Sequence, residues 1–350
     1  MVKAKESVAA AAEYVAGKQT AGNGLAPVRL AANETPYPPL PSVREAVVEA
    51  LSGLNRYPNP SGARLRSVIA EHLGVDPGQV TIGPGAGALC ERAVLATCSP
   101  GDELIYPSPS FPGYSAYAGV SGAKAVRVPL TEDGAHDLAA MAAAITPRTK
   151  AIILCSPNNP TGAAIPEAEL RGFLAKVPTE CLVVLDQAYV EFADPDGCAR
   201  GHLLLPDHPN LVVLRTFSKA YGLAGLRAGY AVGQPGAIDV VRKAQTPFQI
   251  NSLGQVAAVA SLRAHDELAE RVAEVVAERE WLRERVAGLG LAVPPSHGNF
   301  LWLPMPDPRG AAGVLESQAV LTRPQPGGLR VTIGTREENE RFLAALRLLD

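Results

Sequence analysis

Seven short apolar bursts rich in β-branched residues recur between stretches of helical pattern, at 80–82, 103–106, 124–128, 151–155, 181–186, 211–215 and 229–232. This alternation constrains the fold more than any other feature of the chain. A strand covered on both faces stays apolar without a break, because neither side meets water. The runs Ala-Ile-Ile-Leu at 151–154 and Leu-Val-Val-Leu at 182–185 read as such central strands. Strands alternating with helices predict an α/β fold built on a mainly parallel, seven-stranded sheet with helices on both faces.

Helix starts are marked in two places. Ser42 and Glu45 have the spacing of a capping box opening a helix over 43–51, and Pro166 stands where the first turn of a helix over 166–176 should begin. From about residue 266 the rhythm changes. Leu268, Val272, Val275, Leu282 and Val286 keep one apolar stripe between charged faces, which predicts a long amphipathic helix stopped by Gly288 and Gly290. Short strands at 300–303 and 329–333 and a terminal helix at 337–349 follow, so a second, smaller α/β domain is expected. A chain of 350 residues is long enough for both.

Charge and cysteine content narrow the function classes. The balance of 32 basic against 35 acidic side chains gives a net charge of -3, which provides no footprint for nucleic acid or an anionic membrane. A small molecule is the expected partner. Five cysteines without a CxxC pair, and only six histidines, show no metal-ligand spacing, so no metal is expected. Glu6 and Glu13 interrupt the alanine-rich start, which therefore lacks the apolar core of a signal peptide. No segment has the roughly 18 apolar residues of a membrane span. A soluble, cytoplasmic enzyme is expected.

The run Leu-Arg-Thr-Phe-Ser-Lys-Ala-Tyr-Gly-Leu-Ala-Gly-Leu-Arg at 214–227 carries the most chemical information. It follows a strand, so Thr216 and Ser218, two apart in extended chain, point to one side. Their hydroxyls and the Arg227 guanidinium form a plausible phosphate cup, since hydroxyl donors and a planar fork of N–H groups both suit a phosphate dianion. Lys219 then lies beside that phosphate, where its amine can form an imine with an aldehyde cofactor and later carry protons. An isolated Ser-Lys pair on a glycine-rich loop would read as surface; the extended run reverses that.

Two further segments end buried strands. Asp186 in Leu-Asp-Gln-Ala-Tyr at 185–189 is an acid that would be costly there without a partner. Ser-Pro-Asn-Asn-Pro-Thr-Gly at 156–162 would alone be an ordinary turn. Gly-Pro-Gly-Ala-Gly at 83–87 invites a dinucleotide-binding reading, but the full G-x-G-x-x-G pattern and its closing acid are missing. A dehydrogenase would also leave Lys219 and Asp186 without roles. The backbone N–H groups of Ala86 and Gly87 at a helix N-terminus instead suit a phosphate.

In chain order, the 156–162, 185–189 and 214–227 segments resemble those of fold-type I aminotransferases, in the branch similar to histidinol-phosphate aminotransferases. That branch generally carries an acidic pair in the glycine loop. Its absence here brings the chain closer to the actinobacterial aromatic aminotransferases, which it resembles from about Tyr14 to Phe342.

The resemblance implies pyridoxal 5'-phosphate as cofactor, covalently held by Lys219. It pairs Asp186 with the pyridine nitrogen, Asn159 and Tyr189 with the phenolic oxygen, and places Phe111, in Pro-Ser-Phe-Pro-Gly-Tyr at 109–114, over the ring. Tyr57, in Asn-Arg-Tyr-Pro, would reach the cofactor phosphate of a neighbouring subunit, which implies a homodimer with a shared active site. Arg330, on the apolar strand Gly-Leu-Arg-Val-Thr-Ile-Gly, would clamp the substrate's anionic group; an arginine there needs an anionic partner in any case. Arg323 is a second candidate, and Tyr14, Asn33 and Asn299 match other pocket positions. The family usually has glutamate where this chain has Gln187, a change read as affecting local packing.

The expected organisation is an N-terminal arm at 1–36 joining the small domain, a large cofactor-binding domain at 37–247 and a small domain at 248–350. The expected reaction is ping-pong transfer of an amino group from an aromatic amino acid to a 2-oxo acid. Histidinol phosphate is the alternative donor. A pyridoxal-phosphate lyase or decarboxylase, which would share every cofactor motif, is the rival of another class.

Overall fold

The structure, a computed structural model, describes residues 2–9, 20 and 26–349. All seven apolar bursts are strands of one sheet: β1 (Val80–Gly83), β2 (Glu103–Ser108), β3 (Lys124–Pro129), β4 (Thr149–Cys155), β5 (Leu182–Asp186), β6 (Leu211–Thr216) and β7 (Gly229–Gly233). Their order is β1-β7-β6-β5-β4-β2-β3. Neighbours are parallel from β6 to β3, while β7 runs antiparallel to both β6 and β1.

The central strands are apolar on both sides because each side meets its own core. Ile152, Leu154, Val183, Leu185, Leu211 and Val213 face one cluster, and Ile153, Val184, Leu182, Val212 and Leu214 face the other. Period-2 alternation thus sends successive residues of one strand into two different layers. Cys155, Asp186 and Thr216, the last residues of β4, β5 and β6, then lie along one edge of the sheet. At the same edge β1 ends at Gly83 and leads into helix α1 (Ala86–Thr97). In open α/β sheets that edge is where ligands bind.

The C-terminal part is built on the predicted long helix, α2 (His265–Ala287), which buries Val275, Leu282 and Val286. A three-stranded antiparallel sheet follows, with β9 (Arg323–Gln325) paired to β10 (Gly328–Thr332) and β10 to β8 (Phe300–Pro304). The N-terminal segment joins this part: Val28 and Arg29 pair in parallel with Val320 and Leu321. Among the described residues, no helix is long and apolar enough to cross a membrane.

Two helix starts differ from the sequence reading: the helix expected over 166–176 spans Glu167–Leu174, with Pro166 outside it at the N-cap in extended conformation. The helix expected over 43–51 spans Pro41–Ala50 with Leu40 at its N-cap and no side-chain cap. Pro41 takes the first helical position, where its missing N–H costs nothing, and so draws Ser42 inside the helix. The Ser42 backbone N–H is met instead by Glu267 at 3.4 Å. A capping box does open the last helix, Arg336–Leu346, where Thr335 and Glu338 bond reciprocally.

Candidate active site

A cavity of about 220 Å³ sits at the strand ends, lined from the large sheet by Ala86, Gly87, Phe111, Asn159, Asp186, Tyr189, Thr216, Ser218, Lys219 and Arg227. From the C-terminal part Arg323, Gln325 and Arg330 close it, and Ala31 and Ala32 of the N-terminal segment complete the wall. Twelve of the fifteen described residues predicted for the site line this one cavity, all but Tyr57, Asn33 and Asn299. Tyr14 lies outside the described residues.

One end of the cavity is an anion cup. Gly85 holds φ at +88° at the N-cap of α1, and a Cβ there would lie 2.9 Å from Nη2 of Arg227, so the guanidinium packs against the helix start. Nη1 of Arg227 donates to Oγ of Ser218 at 3.3 Å, and the Ser218 N–H donates to Oγ1 of Thr216 at 3.1 Å. Two hydroxyls, a guanidinium and the N–H groups of a helix start thus converge, the donor set a phosphate dianion requires. Gly229 makes the approach possible. A Cβ there would stand 2.7 Å from the Ala86 nitrogen and 2.9 Å from the Arg215 oxygen.

Beyond the cup, Nζ of Lys219 donates to the carbonyls of Ala32 and Asn33, each at 3.0 Å, and lies 5.7 Å from the Tyr189 ring centre. Burial, then the positive charge of Arg330, push its pKa down to about 7. Asp186 is buried and accepts from the Tyr114 hydroxyl at 2.8 Å and the Ala188 N–H at 3.1 Å. Both donors are neutral, and burial raises the pKa of this carboxyl. A cationic N–H brought into the cavity would favour its charged form. A pyridinium nitrogen supplies that group, and the cup supplies the place for its phosphate, so the residues present fit pyridoxal phosphate.

Arg330 spans the parts of the molecule. Its guanidinium donates to Oδ1 of Asn159 and to the Ala31 carbonyl, each at 2.5 Å, and packs 5.8 Å from the Phe300 ring centre. Arg323 stands directly opposite on β9. Four basic side chains, Lys219, Arg227, Arg323 and Arg330, line the cavity against one acid, Asp186. Anionic ligands are favoured throughout.

Three predicted residues are not on the cavity wall. Asn33, at φ +53°, donates through its amide to the Tyr189 hydroxyl at 3.0 Å and accepts from the Thr332 hydroxyl at 3.1 Å. Asn299 donates to the Asn33 carbonyl at 3.2 Å. Both are buried behind the wall, where their polar capacity holds Tyr189 and the carbonyl that meets Lys219. Tyr57 is 84% exposed, against Phe248 at 4.9 Å between ring centres. Gln187 is accounted for: its amide donates to the Ala199 carbonyl at 2.7 Å and accepts from the Gly201 N–H at 3.2 Å. An ionised glutamate could make only the second bond.

Sequence reading missed Tyr114 and Gln325. Tyr114 lay inside a quoted segment, three residues beyond Phe111 on the helix Gly113–Ser121, but nothing in the sequence says that its hydroxyl meets Asp186. Gln325 carried no signal at all.

Sheet and site together define an α/β protein with an anion cup, a lysine and a buried acid in one cavity at the strand ends. The model of the family described as aminotransferase class I and II matches residues 26–346, so the chain belongs to that family and is a pyridoxal-phosphate-dependent aminotransferase. Among its relatives, the aromatic amino acid aminotransferase of Cutibacterium acnes is 47% identical over 94% of both chains. That of Nocardia farcinica is 48% identical over 94% of this chain and 92% of its own. Among solved structures, the histidinol-phosphate aminotransferase of Sinorhizobium meliloti in complex with pyridoxal-5'-phosphate superposes with a TM-score of 0.86 at 29% identity, covering 92% of this chain and 91% of the other.

Proposed function

We propose that the enzyme moves the amino group of an aromatic L-amino acid to a 2-oxo acid such as 2-oxoglutarate in two half-reactions. The observation that carries this reading is the meeting of Lys219, Asp186 and Arg330 in one cavity beside the anion cup. Bound, the cofactor supplies an electron sink for the pair left when the substrate's α-proton departs. Lys219 carries that proton at Nζ, and its pKa near 7 suits both taking and returning it at neutral pH. Asp186 would hold the ring nitrogen and Asn159 and Tyr189 the phenolic oxygen, with Phe111 beside the ring. The cup residues Ala86, Gly87, Thr216, Ser218 and Arg227 bind the phosphate. Arg330 binds the carboxylate of both substrates in turn, as a planar guanidinium can.

The aromatic donor is supported by the names of the relatives and by an apolar wall of Ala31, Ala32, Phe111 and Pro112. A second reading, histidinol phosphate as donor, is favoured by Arg323, which joins Arg330 on the wall and would provide a second cation for a phosphate. Rates for phenylalanine, tyrosine and histidinol phosphate measured side by side decide between them. Aromatic donors are expected to lead in kcat/KM, and a tenfold preference for histidinol phosphate would overturn that.

We also infer a homodimer with Tyr57 reaching the neighbour's phosphate cup, which its exposure permits. The division into an arm at 1–36, a large domain at 37–247 and a small domain at 248–350 is supported by the pairing of Val28 and Arg29 with Val320 and Leu321. Five cysteines, all free and buried, support a cytoplasmic location.

A further inference from the structure

The Gln325 side chain has no assigned work, yet it lines the cavity, and its Nε2 is shielded from solvent without a hydrogen-bond partner among the described residues. A buried amide N–H left unpaired is costly, so a ligand atom is the natural partner. Its position is set by β9. Gln325 is two residues beyond Arg323 on that strand, so both side chains leave the same face about 7 Å apart. Arg323 is in turn directly opposite Arg330, while Gln325 is opposite Gly328. A Cβ at Gly328 would lie 2.5 Å from the Trp302 ring, so no side chain fills that position beside the amide. The wall thus presents a carboxylate clamp at one pair of the ladder and a neutral amide one side-chain length further along.

From this geometry we infer that Gln325 is a specificity-determining residue: its amide hydrogen-bonds the distal polar atom of the donor's ring, the phenolic hydroxyl, so that tyrosine is preferred to phenylalanine. The inference rests on the aromatic-donor reading. A neutral amide suits a phenol better than an anion does, because it can donate through Nε2 or accept through Oε1 and leaves the hydroxyl uncharged. With phenylalanine bound, the amide faces a ring edge and stays unpaired. One neutral hydrogen bond of this kind corresponds to roughly five- to tenfold in rate.

The test compares holoenzyme with Gln325→Leu and with Gln325→Met, whose side chain has nearly the volume of glutamine but no amide. Single-turnover kcat/KM is measured for tyrosine and phenylalanine, and binding for the unreactive pair 3-(4-hydroxyphenyl)propionate and 3-phenylpropionate. The tyrosine-to-phenylalanine ratio should fall about fivefold or more in both variants, and the binding ratio of the two acids should fall with it. A ratio within twofold of wild type in a folded variant overturns the inference. Loss confined to the 2-oxoglutarate half-reaction also overturns it, by assigning the amide to the acceptor's distal carboxylate. Wild-type enzyme that turns over neither aromatic donor but uses histidinol phosphate would instead defeat the aromatic-donor reading itself.

Discussion

Lys219 holds its proton far less firmly than a lysine in water, with a pKa near 7 in place of 10.5. Between those values the unfolded chain binds a proton that the folded chain has shed, so folding is increasingly favoured as pH rises across the window. The cofactor-free enzyme should therefore gain stability from pH 7 toward 10 relative to Lys219→Met, whose side chain does not titrate. Urea midpoints for the two proteins at several pH values measure the difference, and parallel curves would show that the amine is not depressed. The lysine's place was readable because a Ser-Lys pair between a strand and a glycine-rich turn belongs to a long, ordered run. The partners of Asp186 were not. Sequence shows that an acid ends a buried strand, but which hydroxyl meets it depends on how a helix from residue 113 onward packs on the sheet. Asn33 and Asn299 show the opposite limit: both lie close to the lysine, but their amides face inward, an orientation that no spacing encodes.

At the level of elements, the strand bursts were legible because burial on two faces leaves an unbroken apolar signature. Strand direction was not, since β7 is as apolar as the parallel strands of the sheet and only the short return through 217–228 makes it antiparallel. That return is what brings Gly229 against the start of α1. Gly229→Ala would drive a methyl into backbone on both sides, atoms that cannot swing away as a side chain could. A loss of about 1–3 kcal/mol is expected from such overpacking. The displaced helix start should also weaken the cup, so affinity for inorganic phosphate and for pyridoxal phosphate should fall together in apoenzyme titrations. A change in stability without a change in either affinity would separate the glycine from the cup.

Across the whole molecule, the Tyr57 proposal is tested by complementation. Mixing Lys219→Ala with Tyr57→Phe under conditions that exchange subunits should restore one intact site per heterodimer, because the Lys219→Ala chain lends its unaltered tyrosine to the site that keeps Lys219. Activity should then exceed the average of the two parents. If Tyr57 served its own chain, no intact site would form and the mixture would show no gain. Such a relation between subunits is invisible to periodicity, which reports only what a residue's own chain buries. A different long-range dependence runs through the segment at 28–33, which is stitched to Val320 and Leu321 at one end and offers the carbonyls of Ala32 and Asn33 to Lys219 at the other. A single proteolytic nick between residues 29 and 32 would cut the tether that aims the amine, and a nearly full-length polypeptide would lose its chemistry while keeping its large sheet.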